Sequence, residues 1–65
     1  MKKDIRVMPL SEVIETTTIS RSTLFRMVEE GSFPAPRQIG KRRVGWLSGE
    51  VQAWLLDRPA AMVKK

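Results

Sequence analysis

The 65-residue sequence contains no cysteine and no histidine. That inventory excludes disulfides, zinc-finger ligation, thiol catalysis and histidine-based catalysis. Long apolar runs are missing too. The longest, residues 59–63, falls far short of the roughly 20 residues of a membrane-spanning helix. Met1-Lys2-Lys3 resembles the start of a signal peptide, but Asp4 and Arg6 interrupt any apolar segment behind it. The expectation is a protein without a membrane partner, cytoplasmic and nucleoid-associated. Acidic side chains are scarce, 7 against 12 Lys and Arg, which leaves a net charge of +5. Such a surplus favours a polyanionic partner, nucleic acid above all, over a merely soluble surface.

Enzymatic readings fail on the same grounds. Glu12 and Glu15 are three apart on a helix, but so short a chain offers no evident cleft for a carboxylate pair. Gly40 and Gly45 flank a basic loop without any Walker-type or dinucleotide fingerprint. We expect no catalysis, no metal and no cofactor. A chain of this size buries only about 60% of its unfolded surface, so stability is marginal. At 42% apolar residues a core is nevertheless attainable. One domain over residues 1–65 is expected, ordered over about 5–58, with a frayed start at 1–4 and a mobile basic tail at 59–65.

Local patterning then divides the chain. Ile5-Arg6-Val7-Met8 alternates as a short strand. Pro9 stops it and suits the start of a helix, for which Ser11 is the expected N-cap, with Glu12 in the first turn. The β-branched run Thr16-Thr17-Thr18 ends that helix after about two turns. After a turn of about four residues, Ser20 caps a second helix, in which Leu24, Met27 and Val28 form an apolar stripe and which Gly31 closes. This is a helix-turn-helix pattern. Ser32 and the Phe33-Pro34-Ala35-Pro36 stretch must be extended. Arg37-Gln38-Ile39 and Val44-Gly45-Trp46-Leu47, joined by Gly40-Lys41-Arg42-Arg43, read as a β-hairpin. Ser48 caps a third helix with Val51, Trp54 and Leu55 on one stripe, flanked by Leu56 and ended by Pro59.

Two groups of residues can carry binding. On the second helix Ser22, Arg26 and Glu29 face away from the apolar stripe, with Arg21 and Phe25 on the flanks. Ser20, Arg21, Ser22 and Thr23 offer hydroxyl, amide and guanidinium donors to phosphate, and Arg26 can fork onto a guanine edge. Glu29 and Glu30 favour an ordinary solvated face instead. In the hairpin, Arg37, Lys41, Arg42 and Arg43 place four positive charges in seven residues with no acid among them. A cationic hairpin beside a helix-turn-helix acts as a wing on phosphates or in a minor groove; the alternative is a charged turn that keeps a sheet edge soluble. Trp46 and Trp54 are expected in the core, and Phe33 as a plug beneath its loop. Phe25 either packs against the wing or touches DNA.

The residues now carry a resemblance. Ile19-Ser20-Arg21-Ser22-Thr23-Leu24, the stretch Leu24-Phe25-Arg26-Met27-Val28-Glu29-Glu30-Gly31-Ser32-Phe33-Pro34-Ala35-Pro36, then Ile39-Gly40-Lys41-Arg42-Arg43-Val44-Gly45-Trp46-Leu47 and Glu50-Val51-Gln52-Ala53-Trp54-Leu55 resemble AlpA-type phage regulatory proteins, over about residues 6–58. The resemblance implies a mainly α fold with a small β-hairpin, a winged helix-turn-helix of three helices plus wing, in the MerR-like and excisionase-like group. Members of that group are DNA-binding regulators of prophages and other integrated elements. The resemblance maps a recognition helix onto residues 20–30 and a wing onto residues 38–44. Thr18 departs from it, standing where many members carry Gly, so that turn is expected to be strained or differently shaped. The function expected is a sequence-specific transcriptional regulator on double-stranded DNA, self-associating on adjacent sites. The alternatives are an excisionase-type directionality factor and a module that binds an integrase or another regulator, through Glu12 and Glu15 of the first helix.

Overall fold

The computed structural model describes residues 6–61. The expectations for Ile5, for the start at 1–4 and for the tail beyond residue 61 lie outside the described residues. The chain folds as a winged helix-turn-helix. Strand β1 (Val7–Met8) leads into α1 (Leu10–Thr17) and α2 (Arg21–Glu30). A hairpin follows, β2 (Arg37–Gln38) and β3 (Val44–Leu47), and then α3 (Ser48–Leu56). The hairpin gains β1 as a third, antiparallel strand, in the order β1-β3-β2, with Met8 opposite Trp46 and Gly45 opposite Arg37. Gly45 makes room for this: a Cβ there would lie 2.5 Å from Val7 Cγ1 and 3.3 Å from the Met8 carbonyl oxygen.

One residue from almost every segment enters the core: Met8, Val13, Leu24, Phe33, Trp46 and Val51. The alternation that buries Met8 and Trp46 puts Val7, Gly45 and Arg37 on the outer side of the sheet. Trp46 is fully buried and its indole N–H donates to the Pro34 carbonyl at 2.8 Å, so the apolar ring is inserted without stranding its polar atom. Trp54 is only partly buried, a correction to its expected core position. It covers Phe33 edge-on with ring centroids 4.7 Å apart, donates to the Ser32 carbonyl, and carries the Arg58 guanidinium 4.2 Å above its ring. Its place near the end of α3 leaves the residue partly exposed.

Three further expectations are corrected at helix ends. The cap of α1 is Pro9, not Ser11: its carbonyl accepts from Glu12 and Val13, and a residue with fixed φ and no N–H loses nothing there. The turn between α1 and α2 has three residues, since α1 runs through Thr17. Ser48 is the first residue of α3, after Leu47 as cap, and its hydroxyl instead accepts from the Arg6 N–H at 3.1 Å, tying the start of β1 to α3. Ser20 and Gly31 bound α2 as expected. The Ser20 hydroxyl accepts from the Thr23 N–H, and left-handed Gly31 (φ 83°) ends the helix with paired bonds to Val28 and Met27.

Thr18 terminates α1 with φ 62° and ψ 18°, and it is the one non-glycine residue with positive φ among those described. A β-branched residue in this region is strained, by about 1–2 kcal/mol for L-residues in general. Local bonds hold the turn: Thr18 N–H to the Ile14 carbonyl at 2.7 Å, and Thr17 Oγ1 bridging the Val13 carbonyl and the Ile19 N–H. Glycine would relieve the strain, offset in part by its larger unfolded-state entropy. Thr18→Gly is therefore expected to stabilise the domain by about 0.5–1 kcal/mol, raising the thermal midpoint by roughly 2–8 °C. A midpoint that stays put or falls in a calorimetric scan would mean that the turn is not strained.

Candidate nucleic-acid interface

The two elements singled out by charge meet at Trp46, which belongs to β3 and lies against Phe25 of α2. Helix α2 enters the core through fully buried Leu24 and half-buried Met27 and Val28, which turns Ser22, Arg26 and Glu29 outward. Arg21 and Arg26 are exposed. The hydroxyls near the N-terminus differ in availability. Ser20 caps the helix and donates to Thr23 Oγ1 at 3.0 Å, and Thr23 is half-buried, so both are partly engaged within the turn. Ser22 is exposed and makes no side-chain hydrogen bond among the described residues. Glu29 and Glu30 close the helix with two exposed carboxylates at its negative dipole end. They confine the cations of α2 to its first six residues.

The wing is a tight structure rather than a floppy loop. Ile39 and Gly40 N–H groups both donate to the Arg43 carbonyl, at 2.8 and 3.2 Å. The Gln38 side-chain amide donates to the Gly40 and Lys41 carbonyls across the tip. Composition gave no hint of this brace; the only sequence signal is an amide side chain directly before the turn. The brace turns the loop carbonyls inward and leaves the Lys41, Arg42 and Arg43 side chains exposed.

Arg37 stands apart from those three. It projects from the outer side of β2 and forms an ion pair with Glu50 of α3 at 2.6 Å. That hydrogen bond and charge raise the Arg37 pKa above its ordinary value. The sequence shows no acid inside the hairpin, yet the fold brings one to its base, because the first turn of α3 follows β3 directly. Arg37 is thus held at the root of the wing, with part of its charge compensated.

Sorting the described cations by partner separates two groups. Arg6 pairs with Glu12 at 3.2 Å, Arg37 with Glu50 at 2.6 Å, and Arg58 with Asp57 at 3.8 Å. Arg21, Arg26, Lys41, Arg42 and Arg43 form no ion pair among the described residues. All of them belong to α2 or the wing tip. Exposed pairs contribute little stability, so the sorting matters for the field they leave behind. Among the described residues the uncompensated positive charge therefore belongs to α2 and the wing tip, and such charge attracts a polyanion. A concavity of about 260 Å³ between β1, α1 and α3 is lined by Arg6, Met8, Glu12, Thr16, Val51, Gln52 and Leu55 among others, and includes no residue of α2 or the wing.

Phe25 packs and is also accessible. Its ring lies against Trp46 at 6.4 Å between centroids with a 53° tilt, and 39% of the residue is exposed.

Comparison with known proteins agrees with this picture. The sequence profile of the family described as "Prophage CP4-57 regulatory protein (AlpA)" matches residues 6–58. An "Uncharacterized protein ORF88" of Enterobacteria phage P4 is 36% identical over 55 residues, a match covering 85% of this chain and 62% of that protein. The chain thus spans under two thirds of that relative. A "DNA-binding transcriptional activator AlpA" of Escherichia coli is 30% identical over 60 residues, covering 83% of this chain and 86% of the relative. No solved structure matches.

Proposed function

Since the chain belongs to the family of AlpA prophage regulatory proteins, we propose that it binds double-stranded DNA and regulates transcription for a prophage or another integrated element. The observation that carries this reading is the gathering of Arg21, Arg26, Lys41, Arg42 and Arg43, unpaired among the described residues, on α2 and the wing. In this reading α2 enters the major groove. Ser20, Arg21, Ser22 and Thr23 at its N-terminal turn meet phosphate, and Arg26, one turn further in, reaches base edges. The wing follows the neighbouring minor groove or its phosphates through Lys41, Arg42 and Arg43, with Arg37 anchoring its base.

One module of this size contacts few base pairs, so selectivity calls for several copies on adjacent sites. A role in excision rather than transcription would use the same contacts. A protein-binding role for the acidic first helix is less favoured, because Glu12 already holds Arg6.

Two outcomes follow for DNA binding. Replacing Lys41, Arg42 and Arg43 together by Ala should weaken binding to every duplex alike, since phosphate contacts carry no sequence information. The slope of log affinity against log salt should shrink by about 0.9 for each phosphate that the wing no longer neutralises. An unchanged affinity and slope in fluorescence-anisotropy titrations would remove the wing from the interface. Arg26→Ala should instead relax preference at one or two base positions, by about 1–3 kcal/mol, and keep most non-specific affinity. Selection from a randomised duplex pool at fixed salt, run on both proteins, reads this out. A uniform loss with a smaller salt slope would make Arg26 a phosphate clamp.

A further inference from the structure

We propose that Phe25 recognises the 5-methyl group of a thymine in the major groove, an inference that rests on the DNA-binding reading above. Among the large apolar side chains of α2, Phe25 alone is exposed, and it sits between two exposed cations, Arg21 one turn earlier and Arg26 beside it. A purely solvated flank has no use for an aromatic ring there. A purely structural ring would be covered, yet 39% of the residue is open.

The ring is also held in place from behind. One side leans on Trp46, which is fully buried and fixed by its bond to the Pro34 carbonyl, so Phe25 has no space to turn inward. The Arg21 guanidinium lies 5.9 Å from the ring centroid, which steadies the side chain and sets a positive charge beside it. Val44, two residues before Trp46 on the same side of β3, continues the apolar strip toward the wing tip and is 49% exposed. The surface therefore presents a rigid apolar edge flanked by cations. A ligand that matches it is polyanionic and carries one apolar group close to its charges.

The major groove of DNA supplies one such group, the thymine C5 methyl, and apolar side chains including Phe recognise it by contact. Phe25 can make no hydrogen bond. Against the amino group of cytosine or adenine it would cover a polar edge without replacing its water, so it selects against those bases as well as for thymine. With Arg26 on a neighbouring guanine, the pair specifies a short step that contains both bases.

The test uses the full chain and a preferred duplex obtained by selection. Each thymine is replaced in turn by deoxyuridine, which keeps base pairing and removes only the methyl group. At one or two positions the affinity of the unaltered protein should fall by about fourfold, the equivalent of one buried methyl group. The Phe25→Ala variant should bind the thymine and uracil forms of those positions equally. If that variant fails to melt cooperatively, Phe25→Gln, which keeps a long stem on Trp46, takes its place. A protein that prefers its site over unrelated duplexes but is indifferent to every uracil would overturn the proposal and leave the DNA reading intact. Methyl sensitivity that survives removal of the Phe25 ring would likewise overturn it. A protein with no preferred duplex at all would overturn both.

Discussion

The indole of Trp46 is the contact on which the other parts depend. It fills the centre of a core to which each helix gives one fully buried residue, Val13, Leu24 and Val51. Its N–H reaches the Pro34 carbonyl, and so fixes the extended segment between α2 and the hairpin. Its outer edge supports Phe25 on α2. Because Trp46 is itself part of β3, the strand that carries the wing is locked to the helix that carries Arg21 and Arg26. A large aromatic removed from a core typically costs about 3–5 kcal/mol, a large share of what a small domain has. Helix and wing keep a fixed spacing for the same reason that the fold is stable.

Around that centre the ion pairs divide the surface. Arg6, Arg37 and Arg58 each meet an acid close by, on α1, on α3 or next in the chain. Such exposed pairs add little stability. Their consequence is that, among the described residues, the uncompensated positive charge is left on α2 and the wing tip. The Gln38 brace completes this arrangement by turning the tip carbonyls toward its own amide, away from whatever the basic side chains meet.

Much of this is legible in the sequence, and what is not has two causes. The three helices, the hairpin, the Ser20 cap, the Gly31 stop and the buried Phe33 follow from local patterns, because each depends on residues within a turn or two. The Thr18 departure is read from the resemblance, which implies a strained or differently shaped turn, and Thr18 does take a positive φ. What escapes is in part local but chemically ambiguous, such as the Pro9 cap beside Ser11 and the Gln38 brace, and the rest is set by contacts between distant segments. Nothing near Arg37 in the chain announces Glu50, 13 residues on, and nothing near Ser48 announces Arg6, 42 residues back. The pairing of β1 with β3 escapes too, since two residues carry no register of their own. Trp54 is misjudged because a helical stripe gives the direction of a side chain and not the depth of what lies above it. The candidate site was legible as a set of charges, whereas the partner of Arg37 and the bracing role of Gln38 needed the fold.

The central claim is that α2 and the wing together form the DNA-binding surface. Titrating a selected duplex into the nitrogen-15-labelled full chain, and following backbone amides by heteronuclear correlation spectra, tests this most directly. The account predicts shifts concentrated at residues 20–26 and 39–44, with Thr16, Gln52 and Leu55 around the groove between β1, α1 and α3 unmoved. Shifts centred on that groove, with α2 and the wing silent, would contradict it.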